Sequence, residues 1–197
     1  MIEFKKNVKK SLPYDRKQYL DFLDEDINST TKWYGVSFQL PGGYEGREIG
    51  LTEYLEAYAE WFKAIISQLD KGSFWTVNHD GKDMNWLPND ENNLVPLRAL
   101  FKQNHISNEF KGALLFTKDD LLKFAKELIS YPLAVFNEAG YLYENLDVSH
   151  SELSFIIKIS GHANIDLLST DQELLTAVIN ANNSNSFILR PYRGTFL

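Results

Sequence analysis

The segment 51–70, LTEYLEAYAEWFKAIISQLD, constrains the fold more than any other part of the chain. Leu51, Tyr54, Leu55, Tyr58, Phe62, Ile65, Ile66 and Leu69 recur at i, i+3, i+4 and i+7. That is the period of one face of an α-helix. Glu53, Glu56, Glu60 and Lys63 take the other face. A helix with one long apolar stripe must bury it against another layer. Segments of a different period supply that layer. Residues 32–40 alternate at Tyr34, Val36, Phe38 and Leu40, and residues 154–160 at Phe155, Ile157 and Ile159. Alternation marks a strand with two unlike faces.

Further elements follow from local signals. Residues 14–27 predict a short helix with Tyr19, Leu20, Leu23 and Ile27 on one side and Asp21, Asp24, Glu25 and Asp26 at its end. Acids there oppose the helix dipole. Asp80-Gly81 is a type I′ turn signal and predicts a hairpin of 73–77 with 84–87. Leu94 to Phe101 predicts a short helix and Gly112 to Phe116 a strand. Thr117 caps a helix to Ser130, which Pro132 ends. Ala134 to Asn137 and Tyr141 to Leu146 are weaker strands. Ala163 to Ser169 makes a second hairpin with 154–160. Thr170 and Glu173 form a capping box for a helix to Asn180. Phe187 to Leu189 is a last strand, and RPYRGTFL a surface tail. The class is α+β: one domain, residues 14–197, with an antiparallel or mixed sheet and about four or five helices packed on it. Residues 1–13 form a basic leader ahead of it.

Composition sets the class of partner. Residues 1–17 carry six basic and two acidic side chains, a net of +4, whereas the other 180 carry 14 basic and 25 acidic, a net of −11. Nucleic-acid binding depends on Lys and Arg displacing counterions, so an acidic body argues against it. The chain has no Cys, which removes disulfides, thiolate metal sites and thiol catalysis. No apolar run approaches the ~20 residues of a membrane helix, and the N-terminus leads into no signal-peptide core. The expectation is a cytoplasmic protein away from membranes.

Chemical motifs are scarce. Gly42-Gly43-Tyr44-Glu45-Gly46 lacks the spacing of a phosphate loop, and Glu45 and Glu48 oppose a phosphate. Aligning Gly81 with the glycine of a calcium loop puts Leu87 where a bidentate Glu is needed, so that site fails. His79, His105, His150 and His162 have no paired spacing, and no metal or cofactor is expected. His150 stands beside Ser149 and Ser151, a common turn composition and a weak catalytic signal. The expectation is no catalytic residue.

The exposed face of the helix 51–70 is the candidate binding surface. Glu53, Glu56 and Glu60 lie on it, with Trp61 at the edge of the apolar stripe, half exposed. Acids beside an exposed Trp suit a protein-binding hot spot. Asp21, Asp24, Glu25 and Asp26 form a second acidic group. Two functions compete: a binding protein whose acids meet a basic partner, and a small enzyme with a motif-free small-molecule site between sheet and helices.

Small, acidic, Cys-free α+β chains rich in Asn, Lys, Ile and aromatics resemble bacterial immunity proteins of polymorphic-toxin systems. The stretch from Ser154 to Thr170 is similar to the strand-rich ends of such chains. The resemblance implies a non-catalytic inhibitor that binds and blocks a basic toxin domain, its acids mimicking phosphate and speeding association. It leaves homo-oligomerisation open.

Overall fold

The computed structural model describes residues 2–24, 32–43, 45–69, 72–81, 84–88, 94–136, 145–184 and 186–196. Eight strands form one antiparallel sheet: β1 (Glu3–Lys5), β2 (Tyr34–Gln39), β3 (Trp75–His79), β4 (Ala113–Phe116), β5 (Leu146–His150), β6 (Phe155–Ile159), β7 (Asn164–Ser169) and β8 (Ile188–Pro191). Their order across the sheet is β1-β4-β3-β5-β6-β7-β2-β8. Six α-helices are present among the described residues: α1 (Arg16–Leu23), α2 (Leu51–Leu69), α3 (Val95–Gln103), α4 (Lys118–Lys123), α5 (Ala125–Ala134) and α6 (Gln172–Asn182).

Strand alternation divides the sheet into two faces. Val36, Phe38, Trp75, Val77, Val148, Phe155, Ile157, Ile165 and Leu167 point to one side and join Tyr54, Phe62, Leu97, Leu121, Leu128 and Val178 in the main core. Helices α2 to α6 therefore share that side. Ile156 and Leu168, the intervening residues of β6 and β7, meet Tyr19 and Trp33 in a separate small cluster on the opposite side. Among the described α-helices, α1 is the one on that side.

Helix α2 has the predicted span. Strands β2, β6 and β7 and the β6–β7 hairpin also fall where alternation places them. The first hairpin does not form. Strand β3 is paired on one edge with β4 and on the other with β5, so no edge remains for 84–87. Trp86 and Leu87 instead bond through backbone N–H groups to Phe110 and Asn108 carbonyls. The turn residues 82–83 lie outside the described residues.

Several boundaries differ for physical reasons. The predicted helix 117–130 is two helices, broken at Phe124, which ends α4 and opens α5. Pro132 lies inside α5 rather than ending it; burial of Leu128, Ile129 and Tyr131 outweighs one missing backbone bond near the helix end. Asp171, not Thr170, caps α6, accepting from Leu174 N at 3.0 Å. Strand β5 extends to His150, beyond the strand expected to stop at Leu146; most of the weak strands expected between 134 and 146 fall in 137–144, outside the described residues. Residues 3–5 of the basic leader pair with β4 and complete the sheet. The C-terminal tail is partly packed: Arg190 and Pro191 belong to β8, and Thr195 Oγ1 accepts from Gly35 N at 2.9 Å.

Candidate functional site

The densest polar chemistry lies on the α1 side of the sheet. Register sets Asn78 opposite Asp147, Asp147 opposite Lys158, Lys158 opposite Asp166, and Asp166 opposite Ser37. These five residues form one row across β3, β5, β6, β7 and β2, and all are buried. The N-terminal segment covers the row's β3–β5 end. Tyr19 Oη donates to Asp147 Oδ1 at 2.8 Å, and Tyr14 Oη bonds Ser149 Oγ at 2.8 Å. Arg16 Nη2 reaches the carbonyls of His79, Asp80 and Gly81 at 2.9, 2.7 and 3.1 Å. Thr76 Oγ1 donates to Ser11 O at 3.0 Å.

Burial sets the electrostatics. Lys158 contacts Asp80 directly and lies 3.8 Å from Asp147 Oδ1. Burial pushes Asp147 up to about 6; Lys158 opposes that shift and Asp80 adds to it. Burial works against the Lys158 ammonium, yet the carboxylates of Asp147 and Asp80 hold its pKa above the ordinary value. The two directions agree physically: Asp80 neutralises Lys158, which leaves Asp147 as a second carboxyl beside an ammonium already paired. Asp166 is raised by burial, against hydrogen bonds from Ser37, Tyr192 and Asn164.

The row is not a cleft. Two surface depressions, of about 490 and 360 Å³, lie elsewhere: one on α6 beside Gln172, Thr176 and Asn180, the other between α3 and α4 beside Pro96, Leu100 and Phe124. Neither is lined by a member of the row. Among the described residues no group of His, Asp and Glu is placed to hold a metal ion, and no helix is long and apolar enough to cross a membrane.

The structure separates the sequence candidates. Glu53, Glu56 and Glu60 are exposed along α2, within an arc of about 60° on the helix. Glu53 Oε2 pairs with Arg47 Nη1, and Glu60 Oε1 with Lys63 Nζ, each at 2.8 Å. Those cations hold both carboxyls below the usual carboxylate range. Trp61 is not half exposed: it is 7% exposed, packed on Phe38, Tyr58 and Phe187 at centroid distances of 4.7, 5.8 and 5.7 Å. The wider stripe comes from Phe187, which arrives from the end of the chain. Asp21 sits on α1 and Asp24 caps its C-terminus, across the sheet from α2, so the two acidic groups do not form one surface. Glu25 and Asp26 lie outside the described residues.

His150 and Ser149 project from opposite faces of β5. His150 Nδ1 accepts from Glu152 N and Leu153 N at 3.0 Å, which leaves Nε2 as donor to Leu69 O at 3.2 Å. Ser151 Oγ accepts from Phe74 N at 3.2 Å. These residues build a turn, not a triad. Asp147, Lys158, Asp166, Arg16 and Tyr19 escaped sequence reasoning. The available signal was a lone charge between aliphatic neighbours, as in Ile157-Lys158-Ile159 and Ile165-Asp166-Leu167. No known family, curated protein or solved structure matches this chain.

Proposed function

We propose that this is a non-catalytic binding protein that receives a basic protein surface on the outer face of α2, in the manner of an immunity-type inhibitor of a toxin domain. The observation that carries the reading is the exposed acidic face of α2, Glu53, Glu56 and Glu60, preceded in the chain by the exposed Glu45 and Glu48. Together these carboxylates outnumber the neighbouring cations Arg47, Lys63 and Lys126. Exposed ion pairs such as Glu53–Arg47 and Glu60–Lys63 contribute little to stability, so a partner's Lys or Arg can replace Arg47 or Lys63 at small cost. Exposed carboxylates of one sign also steer a basic partner during encounter. The enzyme alternative is weaker, because Asp147, the carboxyl with the most acid–base character, is covered by Tyr19.

The test is association kinetics of the wild type and a Glu53→Lys/Glu56→Lys/Glu60→Lys variant with the purified product of the neighbouring gene. At low salt the variant should associate at least about tenfold more slowly, and high salt should shrink the gap. Equal rates reject this face. Absence of binding, together with turnover of a small molecule, restores the enzyme reading.

A further inference from the structure

The polar row carries an inference independent of the α2 face. Among the described residues, two carboxylates of the row, Asp147 and Asp166, and Asp80 at its edge stand with two cations, Lys158 in the row and Arg16 beside it. A buried cluster with one uncompensated negative charge is expensive, and one proton removes the excess. Asp80 keeps its contact with Lys158. Asp166 accepts from Asn164 Nδ2 at 2.6 Å and from Tyr192 Oη at 2.9 Å. Asp147 is 1% exposed, and among the described residues only its Oδ1 has a donor, Tyr19.

Two acceptors mark where the proton goes. Asp147 Oδ2 and Asn78 Oδ1 are both buried without a hydrogen-bond partner among the described residues, and the two residues are directly opposed across β3 and β5. The Asn78 amide is oriented by its own Nδ2, which donates to His79 O at 2.8 Å. A proton on Asp147 Oδ2 satisfies both atoms at once. We propose that Asp147 is protonated while the N-terminal segment 11–24 is docked, donates to Asn78 Oδ1, and makes that segment a proton-dependent latch on the sheet.

The groups facing Asp147 are Tyr14, Arg16 and Tyr19 from the N-terminal segment, Asp80 from the end of β3, Lys158 from β6 and Asp166 from β7. His79 points to the other face of the sheet. Undocking 11–24 hydrates Asp147 and returns it to an ordinary carboxyl. The docked state therefore binds the proton more tightly, and acid favours docking. With a docked value of about 6 against 3.8 for the ordinary carboxyl, the docking constant falls about tenfold from pH 5 to pH 7.

The experiment combines a carboxyl-carbon NMR titration of Asp147 with hydrogen exchange of the α1 amides, corrected for intrinsic rates, from pH 5 to 7. The expected results are a midpoint above pH 5, and α1 opening that rises about tenfold across the range in the wild type and stays flat in Asp147→Asn. The Asn side chain mimics the protonated carboxyl, donating to Asn78 and accepting from Tyr19. A midpoint at or below pH 4, α1 opening without pH dependence in the wild type, or the same dependence in Asp147→Asn overturns the proposal. Should Asp147→Asn fail to fold, Tyr19→Phe serves: losing the donor to Oδ1 should move the midpoint up, and an unmoved midpoint overturns the proposal.

Discussion

Trp61→Ala separates two readings of the same helix. As a half-exposed surface residue, Trp61 would leave stability nearly unchanged on truncation. In the structure it packs on Phe38 from β2, Tyr58 from the preceding turn of α2, and Phe187 before β8. Large aromatic truncations in such surroundings cost about 3–5 kcal/mol. For a chain of this size each kcal/mol lowers the melting temperature by roughly 2–4 °C, so Trp61→Ala should melt at least about 6 °C lower. Trp61→Phe supplies the control. The indole Nε1 is buried without a hydrogen-bond partner among the described residues. Removing that donor relieves a desolvation penalty and offsets part of the lost volume, so the cost should stay near about 1 kcal/mol. Thermal and urea unfolding followed by circular dichroism measures both. A Trp61→Ala loss below about 1 kcal/mol refutes the packing argument, because no surrounding of three aromatic rings yields so small a cavity term.

Phe62→Ala should cost about 3–5 kcal/mol and Glu56→Ala no more than about 0.5, since they occupy opposite faces of α2; equal costs in urea unfolding reject the assigned faces. Gly112 has φ of 149°, and a Cβ there would lie 2.3 Å from Lys5 O, so Gly112→Ala should release β1 and raise amide exchange at residues 3–5. His79 is buried, its pKa pushed down to about 4 by desolvation; its contribution is complete above 6.5 and is lost as pH falls through 4. Asp147, raised to about 6 by burial, contributes fully below 3.8 and loses that contribution as pH rises through 6. Each amounts to about 3 kcal/mol, with opposite sign. Unfolding free energies of the wild type should vary little between pH 4 and 6.5, while Asp147→Asn should lose stability toward acid; a flat profile in that variant contradicts the balance.

Legibility tracked how local the deciding physics is. Helix α2 is readable because its apolar stripe and its acidic face are written within its own period; only Trp61 at the stripe's edge depends on a distant residue, Phe187. Strands β2, β6 and β7 are readable because the apolar half of their alternation faces the main core. Strand β5 was misread because its polar half, Asp147 and Ser149, is also buried, and Leu146-Asp-Val-Ser-His150 then resembles a turn. The partners of β3 lie far along the chain, so the nearby Asp80-Gly81 signal misdirected the pairing. Strand β1, three residues long, offers no period at all. The polar row was invisible for a related reason. Arg16 and Tyr19 look like ordinary members of a surface helix until the sheet brings β3 and β5 beneath them.

The two faces of the sheet do different work. A one-residue slip of β5, β6 or β7 would turn Asp147, Lys158 or Asp166 into the main core and expose their aliphatic neighbours. An unpaired charge in that core costs far more than a lost methyl group. Buried ion networks add little net stability over apolar packing, so the row's physical effect is to select register. The N-terminal segment then docks on buried polar groups of β5: Tyr19 donates to Asp147 in the row, and Tyr14 shares a hydrogen bond with Ser149 beside it. None of these constraints reaches the outer face of α2. Glu53 and Glu60 pair there with Arg47 and Lys63, and substitutions at Glu53, Glu56 and Glu60 leave both the core and the row untouched. A fold whose register is held on one face, and whose exposed charge is free to vary on the other, can be matched to one partner's surface without being destabilised.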